Sequence, residues 1–440
     1  MNRVVNYKNQ NVGILGLGLS GLAAAKVLLN SQANIFVFDD KVEKPSMIKK
    51  RNWINYIDWP WENIKTLVVS PGIPINNREK HNAIKLALDN KVQIINEIDL
   101  FVKTKPKAKI IGVTGTNGKS TTAALLFHIL KFNKIKCVIC GNFGIPACSI
   151  DDPGENGVII LELSSYQLDG AKTLSLDIAT IINITPDHLN YHENFDRYVS
   201  CKLKILDLLK KNGIFIFDKN NNFLNEIINR KSYNSVKLVK IKKNEAKDFI
   251  NDNYYLKGTH NAINASIAIS IAKKLNISDN NIELAIKSFG GLHHRMEPIY
   301  ISKNLEIIND SKSTNGESTA AALQSFRNVF WIVGGEPKND GIGQAKKFLD
   351  RVVEVFLIGN STNYFSDEIS KINKNIPLNI CITMEKAIKI AIEKRKMCKL
   401  KKCVILLSPS AASFDQYKSF EDRGNKFKEI INSQLEKGLI

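Results

Sequence analysis

The sequence predicts an α/β protein of three consecutive domains, and three observations predict it. Short apolar, strand-like runs alternate with helix-length stretches along the chain, the pattern of parallel sheets covered by helices. Two glycine-rich turns, at Gly16 and Gly115, each join such a strand to such a helix. The linker-like Thr104-Lys105-Pro106-Lys107 and the segment Leu292-His293-His294-Arg295 divide the chain into blocks 1–104, 105–297 and 298–440. At 440 residues there is length for about two to four domains with ample core.

In the first block Val12–Leu15, Asn34–Phe38, Thr66–Ser70 and Val92–Ile95 read as strands, and Leu22–Asn30 and Glu79–Asp89 as helices. Gly16-Leu17-Gly18-Leu19-Ser20-Gly21 follows the first strand and fits G-x-G-x-x-G. Asp39 and Asp40 end the next strand. The arrangement is Rossmann-like: the glycines let backbone approach a diphosphate, and a carboxylate reaches a ribose or base. It suits NAD(P), another diphosphate-linked nucleotide, or a structural turn with no ligand.

The second block opens with the apolar Ile110-Ile111, the loop Gly112–Thr122 (GVTGTNGKSTT) and a helical pattern, TAALLFHIL. Gly115 and Gly118 allow the N–H groups of the loop, Thr116 and Asn117 included, to converge on an anion. The helix start adds partial positive charge. Lys119 reaches β/γ-phosphates, and Ser120 or Thr121 offers a hydroxyl to Mg²⁺. The block is therefore P-loop ATPase-like, although G-x-x-x-x-G-K-[ST] would need glycine where Val113 stands. Further strands are expected at Lys136–Cys140, Gly157–Leu161, Ile178–Asn183 and Gly213–Asp218, and a long helix at Asn261–Leu275. Glu162 ends one strand, where a hard oxygen ligand for Mg²⁺ belongs. His188, in Asn183-Ile184-Thr185-Pro186-Asp187-His188, converges on the same sheet edge as a metal ligand or hydrogen-bond donor. Lys202 reads as an ordinary helical lysine on a solvated face.

The third block is again Rossmann-like. Leu305–Ile308, Val329–Gly334, Val353–Ile358 and Cys403–Leu407 read as strands, with helical and polar segments between Ser366 and Lys399. The loops Asn309–Asn315 (NDSKSTN) and Leu407–Tyr417 (LSPSAASFDQY) follow strands, and open α/β sheets bind ligands outside their strand carboxyl ends. Each could equally be a plain polar loop.

Composition narrows the class. The net charge is +19, compatible with nucleic-acid binding or with anionic substrates; the scattered lysines favour the latter. No apolar run approaches a membrane span, and the N-terminus shows no signal-peptide pattern, so a cytoplasmic protein is expected. The seven cysteines suit reduced thiols. Cys137-x-x-Cys140 has no second C-x-x-C and lies in a strand-like run, so it reads as core thiols rather than half a zinc site or a redox pair.

Taken together, TGTNGKST, Glu162, Asp187-His188, Gly258-x-His260-Asn261 and His294-Arg295 resemble the Mur ligase family along the whole chain. GLGLSG, NDSKSTN and SPSAASFDQYKSFEDRG resemble its D-glutamate-adding branch. The resemblance implies ATP-dependent joining of D-glutamate to UDP-N-acetylmuramoyl-L-alanine through an acyl phosphate, two Mg²⁺ ions, and a monomer that binds small molecules rather than nucleic acid. It assigns catalysis to Lys119, Glu162, His188 and Lys202, the last as a carbamate formed with CO₂ that helps bind the second Mg²⁺, against the solvated-face reading. Ser120, Thr121, Glu162, His188 and carbamylated Lys202 match metal-site positions, and Asn261, Asn264, Arg295 and Asp310 join Gly115–Thr121 at the ATP. Leu19, Ser20, Asp39, Asp40 and Gly72 match uridine-diphosphate contacts, and Asn142, Ser164 and Gln167 face the muramoyl part. Lys312, Thr314, Lys338, Ser413 and Phe420 match the D-glutamate pocket. Asn190 and Ala411 stand where the family usually carries Asp and often Cys.

Overall fold

The computed structural model describes residues 3–77, 79–230, 235–338 and 341–440. The chain forms two compact units, Met1–Phe249 with Ile263–Lys287, and Ile250–Ala262 with Ser288–Ile440.

The first unit contains two sheets. Strands β1 (Asn11–Leu15), β2 (Asn34–Phe38), β3 (Ile64–Val69) and β4 (Gln93–Asn96) form a parallel sheet in the order β2-β1-β3-β4. It is served by helices α1 (Leu19–Asn30), α2 (Asn82–Asp89) and α3 (Glu97–Val102). Alternation along β3 sends Leu67 and Val69 into one apolar cluster with Trp59 and Trp61, and Val68 into the cluster on the opposite face. This two-sided burial is why the strand closes on the uninterrupted apolar run Leu67-Val68-Val69.

The second sheet holds β5 (Lys109–Thr114), β6 (Cys137–Gly141), β7 (Val158–Glu162), β8 (Leu176–Ile181), β9 (Leu209–Asp218) and β10 (Lys237–Ile241), all parallel, in the order β10-β9-β8-β5-β7-β6. Its helices are α4 (Lys119–Phe132), α5 (Ser165–Gly170), α6 (Leu189–His192), α7 (Phe195–Asp207) and α8 (Asn222–Arg230); α9 (Lys247–Ile250), α10 (Thr259–Lys274) and α11 (Asp279–Lys287) follow in the chain. The start of α3 ties the two sheets into one unit. Asn96 Nδ2 donates to Gln167 O at 2.7 Å, and Asp99 Oδ1 accepts from Lys172 N, Thr173 N and Thr173 Oγ1 at 2.8–2.9 Å.

The third sheet lies in the second unit. Strands β11 (Glu297–Ile301), β12 (Leu305–Asn309), β13 (Val329–Gly334), β15 (Val352–Ile358), β16 (Leu378–Ile382) and β17 (Cys403–Leu407) take the order β11-β12-β17-β13-β15-β16, with only β11 antiparallel to its neighbour. A short ladder pairs β14 (Glu336–Pro337) with β18 (Ala411–Ala412). Helices α12 (Gly316–Ser325), α13 (Thr362–Ile372), α14 (Met384–Met397) and α15 (Phe420–Glu436) complete the unit.

Every expected strand is present within a few residues. The unforeseen ones are the short pair β14 and β18 and three edges: β10 (KLVKI) is largely exposed, β11 pairs only with β12, and β16 falls in the polar span expected after Ser366. An edge strand buries one side, so its sequence carries a weak apolar signal. Both Cys137 and Cys140 are buried free thiols in β6, as the core reading expects. Among the described residues no helix is long and apolar enough to cross a membrane.

Candidate active site

Three parallel strands of the second sheet, β8, β5 and β7, deliver the central residues to one edge. After β5 the chain turns through Gly115 (φ +158°) and Gly118 (φ +86°), the latter serving as N-cap of α4 without any side-chain cap. A Cβ on Gly118 would collide with the Asn264 carboxamide, so Asn264 packs directly on the loop. Asn183 fastens the loop from β8. Its Oδ1 accepts from Thr116 N (3.1 Å) and Asn117 N (2.9 Å), and its Nδ2 donates to Asn117 O (3.1 Å). Thr116 Oγ1 adds hydrogen bonds with Tyr198 Oη (2.8 Å) and Thr185 O (3.0 Å). These bonds brace the loop, and they correct the expectation for Thr116 and Asn117: both N–H groups are turned to Asn183 rather than left for an anion. Ser120 is buried in the first turn of α4, and Thr121 beside it is half-buried.

Two lysines converge on this loop. Lys119 Nζ donates to Gly115 O (2.9 Å) and Thr116 O (2.8 Å), and Lys202 Nζ donates to the same Gly115 O (2.8 Å). Lys202 is 1% exposed, with its ammonium 4.8 Å from the Tyr198 ring, which overturns the solvated-face reading. The helical period of α7 turns Tyr198, Cys201, Lys202 and Ile205 inward, so a cation is placed in a core stripe. Burial, then the charge of Lys119, drives the Lys202 pKa well below that of an ordinary lysine.

Glu162 ends β7 fully buried. Its Oε1 accepts from Asn142 Nδ2 at 2.7 Å, while its Oε2 has no partner in the structure. A buried carboxylate oxygen without a partner is costly unless something binds it. His188 sits in the left-handed region (φ +55°) at the start of α6, exposed, beside Asp187, whose Oδ1 accepts from its N–H at 2.9 Å. Tyr166 packs against it at 4.9 Å between ring centroids. Ser164 caps α5 in a reciprocal capping box with Gln167. Behind them His192 is buried against Ser165 Oγ (2.9 Å), and desolvation pushes its pKa down to about 4, so the ring is neutral. Among the described residues no three His, Cys, Asp or Glu side chains form a closed metal cage. The donor set nevertheless fits Mg²⁺, which takes one or two carboxylates and leaves its other positions to phosphate and water.

The turn after β1 is built differently. Asp39 Oδ2 accepts from Leu17 N at 2.6 Å, and its Oδ1 from Lys41 N and Val42 N at 2.8 and 2.9 Å. Burial alone would raise the Asp39 pKa, but these donors hold it below the ordinary value. Asp40 pairs with His81 at 3.2 Å. Leu19 is 79% exposed, and a Cβ on Gly18 or Gly72 would meet nothing, so this edge is open to a ligand.

In the second unit, Asn261 Nδ2 donates to Lys257 O (3.0 Å). Asp310 is buried at the end of β12, accepting from Met296 N (3.1 Å), Ser408 Oγ (3.0 Å) and Ser313 Oγ (2.5 Å). Its pKa is pushed up to about 6 by burial, against the pull of these donors and of Arg295. Lys312 Nζ lies 3.4 Å from the centre of the Phe420 ring, a cation–π contact. The β14–β18 ladder sets the chain leading to Lys338 beside the loop that carries Ser413. Thr314 is half-buried in the same loop as Lys312. Arg423 was not singled out from sequence and proves central. Fully buried in α15, it donates to Ser311 O (2.8 Å), Ser311 Oγ (3.0 Å), Ala411 O (3.0 Å) and Ala412 O (3.3 Å). It ties together the segments bearing Lys312, Ser413 and Phe420. It lies at the end of the segment SPSAASFDQYKSFEDRG, but nothing local to that segment marks which of its residues is buried.

Comparison with known proteins places the chain in a family. Residues 113–290 match the Mur ligase middle domain, and residues 10–96 match the MurD-like N-terminal domain of Mur ligases. A UDP-N-acetylmuramoylalanine--D-glutamate ligase of Rickettsia prowazekii is 34% identical, covering 96% of this chain and 98% of the relative. The enzyme of the same name from Zymomonas mobilis is also 34% identical, covering 97% and 98%. Among solved structures, the MurF ligase of Thermotoga maritima in complex with ADP superposes with a TM-score of 0.58 at 15% identity, covering 99% of this chain and 98% of that one. The UDP-N-acetylmuramate-alanine ligase MurC of the same organism gives 0.57 at 17% identity, covering 97% and 100%. The phosphate loop, the buried lysine and the strand-end carboxylate therefore sit in a shared fold, and the chain belongs to the Mur ligase family, with an N-terminal domain of the MurD-like kind.

Proposed function

We propose that this chain is an ATP-dependent ligase that adds D-glutamate to UDP-N-acetylmuramoyl-L-alanine, giving ADP and phosphate, as a cytoplasmic monomer in peptidoglycan precursor synthesis. The observation that carries the nucleotide part is the glycine cradle of Gly115–Thr121 under two converging lysines, beside a buried Glu162 oxygen that lacks a partner. Similarity over nearly the whole chain to relatives named as D-glutamate ligases supports the substrates. The partition follows: residues 1–104 take the UDP substrate through Leu19, Ser20, Asp39, Asp40 and Gly72, residues 105–297 take ATP, and residues 298–440 take the amino acid.

A carboxylate is a poor electrophile. Transfer of the γ-phosphoryl group makes it an acyl phosphate, and attack by the amine of D-glutamate forms the amide as phosphate leaves. In this chain the N-terminus of α4, which follows Gly118, and Lys119 hold the transferring phosphates and spread their charge. Asn142, Ser164 and Gln167 orient the muramoyl-alanine carboxylate, while Lys312, Thr314, Lys338, Ser413 and Phe420 hold D-glutamate, whose two carboxylates call for cations and hydroxyls. Ser120 or Thr121, Glu162, His188 and Lys202 would hold two Mg²⁺ ions, which supply charge neutralisation when bound. The Lys202 role needs a carbamate. Its amine, kept partly neutral by burial and by Lys119, can attack CO₂, losing one proton and gaining a carboxylate.

The test is phosphate release from MgATP with UDP-N-acetylmuramoyl-L-alanine and either D- or L-glutamate. Release only with D-glutamate and the UDP substrate together is expected; release with L-glutamate alone overturns the stereochemical assignment. Activity lost in CO₂-depleted buffer and restored by bicarbonate is expected of the wild type. A Lys202→Ala variant that keeps full activity overturns the carbamate.

A further inference from the structure

Arg295 lies in an unusual strap. Its neighbours His294 (φ +61°) and Met296 (φ +47°) both occupy the left-handed region, and neither is glycine. Such backbone persists only where the surroundings over-determine it. Here they do. Asn309, fully buried at the end of β12, points its Nδ2 at His294 Nδ1 (3.0 Å), Glu297 Oε2 (3.2 Å) and Gly424 O (3.2 Å). Glu297 in turn accepts from His294 N (2.9 Å), and its Oε1 meets His293 Nδ1 and Lys428 Nζ at 2.7 and 2.8 Å. Helix α15 closes the arrangement: a Cβ on Gly424 would collide with the His294 ring. On the other side of Arg295, Met296 N donates to Asp310.

We propose that Glu297, Asn309 and Gly424 are positioning residues that set the Arg295 strap and Asp310 in register for the nucleotide. The inference rests on the assignment of Arg295 and Asp310 to ATP. None of the three needs to touch the ligand. Glu297 and Asn309 fix a turn whose backbone would otherwise relax, and Gly424 leaves the space that the His294 ring occupies. Asn309 also accepts from Ser311 N through Oδ1 (3.2 Å), so Glu297 and Gly424 are the cleaner probes of the strap.

The experiment compares Glu297→Gln, Gly424→Ala and Arg295→Ala in the full-length enzyme, measuring KM for ATP, KM for D-glutamate, kcat and melting temperature. Glu297→Gln keeps the shape but loses the charge that draws in Lys428. It is expected to raise KM for ATP about tenfold, with kcat falling less and KM for D-glutamate within about twofold of wild type. Gly424→Ala is expected to do the same by pushing His294, through a different atom. The inference is overturned if Arg295→Ala raises KM for ATP while the other two variants leave it unchanged; the nucleotide assignment then stands alone. It is also overturned if KM for both substrates rises together with a lowered melting temperature, which marks a merely structural role. An Arg295→Ala enzyme with normal KM for ATP overturns the assignment and the inference together.

Discussion

The first unit contains the same device twice. After β1 and again after β5, a parallel strand runs through a glycine-rich turn into a helix whose N-cap is a glycine without a side-chain cap, Gly18 in one case and Gly118 in the other. Around the first turn the charges are acidic, with Asp39 holding Leu17 N and Asp40 beside it. Around the second they are basic, with Lys119 and the buried Lys202 both on Gly115 O. Backbone geometry makes each turn receptive to an anion, but the flanking charges separate their tasks. A carboxylate beside a phosphate site suits the hydroxyls of a ribose or base, and two cations suit a triphosphate about to change its charge distribution.

The largest effect that can break this comparison is at the second turn. Lys119→Ala is expected to lower kcat about a thousandfold while binding of the UDP substrate, followed by calorimetry, stays near wild type. Lost UDP-substrate binding in a folded variant would mean that the two turns are not separate sites.

The seam between the two regions gives the next effect. Glu97 is fully buried at the start of α3, bonded to Cys148 N across the seam, with its Oε2 unpartnered. Burial pushes its pKa up to about 7. The folded state therefore holds a proton that the unfolded chain has released between the ordinary glutamate range and pH 7. Stability should fall as pH rises through that window and level off above it. Glu97→Gln removes the effect, so the variant should match wild type near pH 4 and exceed it above pH 7 by about 3 kcal/mol, read from denaturant unfolding. A constant difference across pH would refute an ionising Glu97.

Smaller effects sharpen the first turn. Asp39→Asn keeps a hydrogen-bond acceptor but loses the charge, and should raise KM for the UDP substrate about tenfold with KM for ATP unchanged. Gly18→Ala has open space for its methyl and should fold normally, yet raise KM for the UDP substrate about threefold if a diphosphate lies against that backbone. An unchanged KM would place the ligand elsewhere on this edge.

Much of this protein was legible before folding. Strand–helix alternation and the two glycine turns are local patterns, and a phosphate loop is a contiguous segment, so its residues announce themselves together. Glu162 and His188 were legible for a related reason, since Glu162 ends one strand beside that loop and His188 lies in the segment that follows another. Lys202 was not: as a lysine in a helical run it reads as a surface cation, and only the resemblance to a family put it in the site. Arg423 and Asn309 lay inside family motifs without an assigned role, and Glu297 outside any, because each matters through partners up to 131 residues away in sequence.

By itself, then, the sequence determined the fold class, the order of the strands along the chain, and the two glycine-rich turns with Lys119 in the second, because these depend on neighbours in sequence. Tertiary structure alone decided that Lys202 is buried against Gly115, that one Glu162 oxygen is left without a partner, and that a single arginine of α15 ties together two loops of the third sheet. Burial and pairing are properties of residues that meet only after the chain has closed long loops, and no local pattern encodes which groups those will be.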